Sequence, residues 1–304
     1  MKPAAVPLAT GSQPGRFKAW IIAFRLPTLS AAIVPVLVGS AVATESGYFL
    51  LSPFLAALIA ALLIQIGTNL ANDYFDFRKG ADNADRMGPV RVSQSGLIAP
   101  GTVRRAAMFA FALSAAVGVY LVVVGGWPIL AIGVLSILAG VLYTGGPWPL
   151  GYNGLGDLLT FTFFGLIAVV GTFYLHTGHV TLGAMVVAIP VGLLVTAILV
   201  VNNLRDIDSD RTAGKHTLAV IIGREATRTQ YLLFVAAAYL LVGARWVFGE
   251  ASVWFWLPWL TLPLAVSLSR SIIRQDGRSL NPVLRGTAML HLIFGVLFAA
   301  SIVI

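Results

Sequence analysis

Apolar residues run along this chain in long charge-free blocks separated by short polar connections. A helix rising 1.5 Å per residue needs about 20 apolar residues to cross a bilayer core of ~30 Å. Leu26 to Thr44 is one such stretch, closed by Glu45, and Ser46 to Asn72 is a second. Ala106 to Gly156 carries no charge and is too long for one crossing. Gly125-Gly126-Trp127-Pro128 divides it, because Gly and Pro punctuate helices. Leu158 to Leu204 is also too long, and divides at the turn His176-Thr177-Gly178-His179. Three more stretches follow, roughly 229–248, 251–269 and 286–304. The pattern predicts an all-α integral membrane protein with nine transmembrane helices.

Composition agrees with the pattern. Only 11% of the 304 residues are charged and 58% are hydrophobic, whereas soluble domains carry about 25% charged residues. There is no Cys, which excludes disulfides and thiolate metal sites. Residues 1–17, rich in Pro, Gly and Ala, read as a disordered tail without a cleaved signal; 18–304 read as a single transmembrane domain.

The net charge of +8 changes the picture once the charges are placed. With the N-terminus inside, 19 of the 20 Lys and Arg fall on the inner side, and only Arg245 lies outside. That is the positive-inside distribution, so the basic balance reflects orientation in a cell membrane and not nucleic-acid binding. Trp246, Trp254, Trp256 and Trp259 gather at the other side, as interfacial anchors do. The inner connections at about 73–105 and 203–228 are the longest, which directs the search for function to the cytoplasmic face.

Eight of the 12 acidic residues lie in those two connections. The first holds Asn72-Asp73-Tyr74-Phe75-Asp76, then Lys79, Asp82, Asp85 and Arg86. The second holds Asn202-Asn203-Leu204-Arg205-Asp206, then Asp208, Asp210 and Lys215. Asn72 and Asp76 are four apart, as are Asn202, Asp206 and Asp210, so each set shares a helix face at a helix end. Clustered carboxylates repel one another and gain stability from a divalent cation. Oxygen-only ligands suit Mg²⁺, which takes one or two carboxylates and leaves positions open for phosphate. Lys79, Arg86, Arg91 and Lys215 are placed to bind further phosphate oxygens.

Asn72-Asp73-Tyr74-Phe75-Asp76 with Asp82, and Asp206 with Asp210, resemble the paired aspartate-rich motifs of the UbiA-type intramembrane prenyltransferases. The stretches Asp85 to Gly96, Tyr143 to Gly151 and Asn202 to Leu218 resemble the branch that prenylates 1,4-dihydroxy-2-naphthoate in menaquinone synthesis. The resemblance runs from about Trp20 to Gly223 and weakens beyond. Gly80 stands where many relatives have an acidic residue, with Asp82 displaced as in the naphthoate branch. A basic residue that some relatives carry after the fourth helix has no match near Trp148.

The resemblance implies a nine-helix bundle. It implies Mg²⁺ held by Asn72, Asp76, Asp82, Asp206 and Asp210, gripping the diphosphate of a polyprenyl donor. An electron-rich aromatic carbon then attacks the allylic centre, giving demethylmenaquinone with loss of diphosphate and CO₂. Asp73 is assigned to orient the acceptor or act as a base; Tyr143, Asn202 and Asn203 are assigned to the acceptor. The expected partners are the polyprenyl diphosphate, the aromatic acceptor and the bilayer, with no obligate protein partner. Another acceptor, such as 4-hydroxybenzoate, homogentisate or a tetrapyrrole, stays open. A secondary transporter is the reading from another class, but transporters place polar groups near the midplane. His176 and His179 read as an outer surface turn, His216 as a solvated loop residue and His291 as a packed residue.

Overall fold

The computed structural model describes residues 14–80, 87–247 and 252–304, and no strand occurs among them. Helix α1 (Arg16–Phe24) ends at Arg25 in a left-handed conformation (φ 53) and hands over to a short 3₁₀ turn, Leu26–Leu29. Then follow α2 (Ser30–Glu45), α3 (Leu51–Lys79) and α4 (Pro100–Leu142). A rod from Gly156 to Thr177 comprises α5 (Gly156–Thr160), a π-helical stretch (Phe161–Ile167) and α6 (Ala168–Thr177). The chain continues through α7 (Leu182–Thr212), α8 (Leu218–Ile222) and α9 (Arg224–Val247). It ends with a 3₁₀ segment (Val253–Thr261), α10 (Leu262–Arg274) and α11 (Leu280–Val303).

The division expected at Gly125-Gly126-Trp127-Pro128 falls at Gly126, whose φ of 69° and ψ of −160° lie outside the helical region. Only glycine adopts such angles without strain. Its consequence is a hairpin. Val103 and Ala107 near the start of α4 pack against Leu70, Ala71 and Tyr74 of α3. Leu121 and Ile129, flanking the break, pack against Ala57 and Ala60 at the other end of α3. Thr144, just past the end of α4, bonds back to Asn72 of α3. The second division, at 176–179, falls between α6 and α7.

Helix α7 forms the centre of the bundle. Its most apolar 18 residues are 72% buried, against 17% for those of α4, whose large side chains such as Phe109, Val119, Val123 and Trp127 face outward. In water this outer surface would aggregate; in a bilayer it is the solvent-matched surface. Six helical stretches among the described residues are long and apolar enough to cross a membrane: Arg16–Glu45, Leu51–Lys79, Pro100–Leu142, Gly156–Thr177, Leu182–Thr212 and Gly277–Val303. The protein is a multi-pass membrane protein.

One expectation changes. His176 is buried, with its Nε2 and the Ser40 hydroxyl 3.0 Å apart. Its Nδ1 accepts from the Leu50 backbone N–H at 3.1 Å, so Nε2 carries the proton and donates to Ser40. The ring stacks on Phe49 and ties the α2–α3 turn to α6. Two residues ahead of a turn, it reads as surface; the loop 48–50 folding over it is what buries it. His291 is wholly buried in α11, as expected.

Candidate active site

Helix α3 presents Gln65, Asn69, Asn72 and Asp76 along one face, spaced by four, three and four residues. Gly80, with φ 69°, ends the helix one residue after Lys79. The last two turns of α7 present Asn202, Asp206 and Asp210 toward the same space. Lys215 follows Gly214 (φ 72), and its backbone N–H donates to the Asp210 carbonyl at 2.8 Å, folding the side chain back over the site. These groups line a cavity of about 230 Å³ at one end of the bundle.

The charges in it are paired. Asp76 receives the Arg91 guanidinium at 2.8 Å on Oδ2 and the Tyr152 hydroxyl at 2.5 Å on Oδ1. Asp206 accepts from Arg205 Nε at 2.9 Å and Nη2 at 2.5 Å. Lys215 Nζ stands 3.5 Å from Asp210 and 3.9 Å from Asp76, and 4.6 Å from the centre of the Tyr152 ring. Three carboxylates thus face three cations with little net charge. A diphosphate arriving alone would leave the chamber strongly negative, whereas one arriving with a divalent cation would not. Among the described residues no three His, Cys, Asp or Glu side chains converge on one point. Asp76 on one side of the cavity and Asp206 and Asp210 on the other match a cation that takes one or two carboxylates from each side and completes its shell with phosphate oxygens and water. The oxygen donors present therefore fit Mg²⁺.

The other expected residues divide. Asn72 lines the cavity and accepts from the Thr144 hydroxyl at 2.8 Å. Asn202 lines it and accepts from Arg205 at 2.9 Å, and Asn203 and Tyr143 are also in its wall. Burial first, then the nearby Asp157, Asp210 and Asp76 carboxylates, push the Tyr143 phenol above its ordinary range, so it stays a neutral O–H donor. Asp73 is only 2% exposed and accepts the backbone N–H groups of Val92 and Ser93 at 3.1 and 3.0 Å. Its carboxylate fastens the loop that carries Arg91 and is not in the cavity wall. Lys79 donates to the carbonyls of Thr144 and Gly146 at 2.8 and 3.3 Å, and stands 5.1 Å over the Tyr152 ring. It occupies the loop after α4, where the sequence offered no basic residue. Asp82 and Arg86 lie outside the described residues.

Three residues have tasks that the sequence did not assign to them. Tyr152 holds Asp76, but lay in a Gly- and Pro-rich stretch with no periodicity. Arg205 was counted as a topological charge, yet its side chain is wholly buried and also donates to Asn281 Oδ1 at 3.1 Å. Asn281 Nδ2 in turn donates to the Met87 carbonyl at 3.0 Å, linking α11 to the loop of Arg91. The signal was present for Arg205 alone: a basic residue inside the acidic motif.

Below the charged chamber the lining turns apolar. Ala31, Thr68, Tyr143, Thr160 and Phe164 are shared with a second void, and Ala61, Ile64, Ser136, Phe163 and Ala168 connect that void to a third. The third, about 390 Å³, reaches Leu121 and Ile129 beside the break in α4. From Asp76 to Ala57 along α3 this path covers 19 residues, or about 28 Å.

Comparison with known proteins gives one answer. Residues 32–300 match the model of the UbiA prenyltransferase family. A 1,4-dihydroxy-2-naphthoate octaprenyltransferase of Escherichia coli K12 is 38% identical over 301 residues, covering 96% of this chain and 97% of that protein. The protein of the same name from Bacillus subtilis is 32% identical, covering 91% and 89%. Among solved structures, a UbiA homologue from Archaeoglobus fulgidus bound to GPP and Mg²⁺ superposes with a TM-score of 0.65 at 14% identity, covering 94% of this chain and 99% of that one.

Proposed function

We propose, from the premise that the chain belongs to the UbiA prenyltransferase family, that it transfers a polyprenyl group from a polyprenyl diphosphate to 1,4-dihydroxy-2-naphthoate in menaquinone synthesis. The observation that carries this reading is the continuity of a charged chamber with an apolar channel. The two parts match the two halves of a polyprenyl diphosphate.

In this reading the diphosphate lies between the ends of α3 and α7, and its tail follows the channel toward Leu121 and Ile129. Asn72, Asp76, Asp206 and Asp210, joined by Asp82, would hold Mg²⁺. When bound, the ion neutralises charge that develops on the departing diphosphate. Arg91 and Lys215 exchange part of their pairing with Asp76 and Asp210 for phosphate oxygens. The allylic C–O bond breaks with its electron pair on the diphosphate. The electron-rich ring carbon of the acceptor that bears the carboxyl forms the new C–C bond. The ring carboxyl then leaves as CO₂ and its bonding pair restores the aromatic ring. Phe164, Val195, Ile198 and Leu199 keep the chamber's lower wall apolar and exclude water from the cationic carbon. Tyr143 offers its neutral O–H to the acceptor, beside Asn202 and Asn203. Nine spans with the N-terminus inside would put the chamber on the cytoplasmic face of a cell membrane, since the basic connections sit there.

Prenyl transfer by the purified protein in nanodiscs tests the reading. 1,4-Dihydroxy-2-naphthoate and 4-hydroxybenzoate are offered in parallel with one prenyl diphosphate, with Mg²⁺ or EDTA. The expected result is an EDTA-sensitive prenylated naphthoquinol, lost by at least a hundredfold in Asp76→Ala and Asp206→Ala, as befits carboxylates acting only with the metal. Product from the benzoate alone would overturn the acceptor assignment and keep the chemistry.

A further inference from the structure

Gln65 is a group in the cavity wall that the reaction so far leaves without a task. It sits seven residues before Asn72 on the same face of α3, about two turns and ~10 Å deeper in the membrane. Its Nε2 donates to the Thr28 carbonyl at 3.3 Å. A carbonyl only accepts, so the nitrogen must face Thr28 and Oε1 must face away. That oxygen is buried and has no hydrogen-bond partner, and Gln65 itself is 7% exposed and lines the cavity.

The surroundings hold the amide in place. The Thr28 hydroxyl donates to the Arg25 carbonyl at 2.9 Å and accepts from Asn69 Nδ2 at 2.9 Å. Asn69 Nδ2 also donates to the Phe24 carbonyl at 3.0 Å. This net surrounds Arg25, whose φ of 53° is a conformation that non-glycine residues rarely adopt. Backbone strain and an unsatisfied buried acceptor on one wall mark a place shaped for something outside the chain. The missing group is an O–H or N–H donor. An ionised diphosphate offers only acceptors, and an isoprenoid tail offers no polar hydrogen. Of the two substrates only the hydroxylated aromatic ring carries such donors.

We propose that Gln65 Oε1 accepts a hydrogen bond from a ring hydroxyl of the aromatic acceptor, so that the wall of Gln65, Thr28 and Asn69 is the acceptor's recognition site. The inference rests on the prenyl-transfer reading and adds to it the group that selects a hydroxylated acceptor. Gln65 fixes the depth of the ring, two turns below Asn72, and so brings the ring under the diphosphate with its reacting carbon toward the allylic end.

The test is a cycle between protein and substrate. Wild type, Gln65→Met and Gln65→Glu are assayed in nanodiscs with 1,4-dihydroxy-2-naphthoate and with the two analogues that each lack one hydroxyl. The KM for the prenyl diphosphate and the Mg²⁺ response are measured alongside. Gln65→Met keeps the shape and removes the oxygen. It should lower kcat/KM for the dihydroxy acceptor roughly ten- to hundredfold, the usual effect of a buried hydrogen-bond partner removed, with the donor KM unchanged. The variant and wild type should differ little on the one analogue that lacks the recognised hydroxyl. Gln65→Glu keeps an oxygen in place, and should retain more activity on the dihydroxy acceptor than Gln65→Met. An equal loss on all three acceptors, a raised donor KM or a Gln65→Met enzyme matching wild type would overturn the recognition role and leave the reaction standing. Failure of the wild type on every hydroxylated naphthoate would instead overturn the reaction, and the inference with it.

Discussion

Tyr152 joins two features of the chamber that are otherwise separate. Its hydroxyl donates to Asp76 Oδ1 at 2.5 Å, and its ring lies within 5.1 Å of Lys79 Nζ and 4.6 Å of Lys215 Nζ. A hydrogen bond to a charged group is worth about 1.5–3 kcal/mol, and an ammonium over an aromatic face about 0.5–2 kcal/mol. Tyr152→Phe keeps the ring and frees Asp76 to rotate, so kcat/KM for the donor should fall about ten- to hundredfold. Tyr152→Leu also removes the platform, and should fall further, with a weaker response to added diphosphate as inhibitor. Steady-state kinetics on the two variants distinguishes the contributions; a Phe variant equal to wild type would dismiss the hydroxyl. Four residues of this chamber, Asn72, Asp76, Asp206 and Asp210, were legible in the sequence because a spacing of four at a helix end states which groups share a face. Asp73 was not, because its task is set by the Val92 and Ser93 amides, 19 and 20 residues away along the chain. Nor was the task of Tyr152, for the same reason: its partner Asp76 lies 76 residues away along the chain.

One amide links the last helix to both elements that carry these residues. Asn281, in the first turn of α11, accepts from Arg205 of α7 at 3.1 Å and donates to the Met87 carbonyl at 3.0 Å. Met87 opens the loop whose Arg91 pairs with Asp76 of α3. The last helix therefore contributes, with Lys215, to the separation between the two acidic helix ends. Asn281→Asp keeps an acceptor for Arg205 and loses the donor to Met87, placing a carboxylate against a carbonyl. It should raise the donor KM about fivefold or more, as expected for one lost buried hydrogen bond, while the Mg²⁺ dependence stays near that of wild type. Asn281→Leu loses both bonds, leaves part of the buried Arg205 unsatisfied, and should shift the Mg²⁺ dependence as well. Titrations of rate against Mg²⁺ for both variants check this, and identical curves for the two would show that the coupling runs elsewhere. At this scale the sequence was informative about breaks and poor about extents. Gly126 and the 176–179 turn fell where expected, since Gly and Pro act locally. Helix α3 runs past the charge-free stretch that ends at Asn72 as far as Lys79, and so carries Asp76 on a helical turn, as its four-residue spacing from Asn72 requires.

Across the whole molecule, the apolar outer surface and the placement of charge together set the orientation. The helical stretches 224–247 and 253–274 stand beside the six that are long and apolar enough to cross a membrane. Arg224 and Arg228 at the start of α9 bind Asp276 between α10 and α11 at 2.6 and 3.0 Å, and Arg224 also reaches Asp208 at 2.9 Å. These contacts put the ends of α7 and α10 and the starts of α9 and α11 on one side, the side of the charged chamber. The loop between α6 and α7 must then lie on the other, because α7 has no interior break by which it could return. If the chamber is cytoplasmic, Val180 in that loop is extracytoplasmic, and the exposed Ala213 is cytoplasmic. The chain has no Cys, so a single introduced thiol reports its own position without a background. In intact cells a membrane-impermeant maleimide should label Val180→Cys and spare Ala213→Cys; in inverted vesicles the order should reverse. Labelling of Ala213→Cys from outside would invert the topology, and would require the positive-inside distribution of 19 basic residues to be read in the opposite sense. Labelling of both from one side would contradict α7 as a single crossing and with it the burial that makes α7 the axis of the bundle.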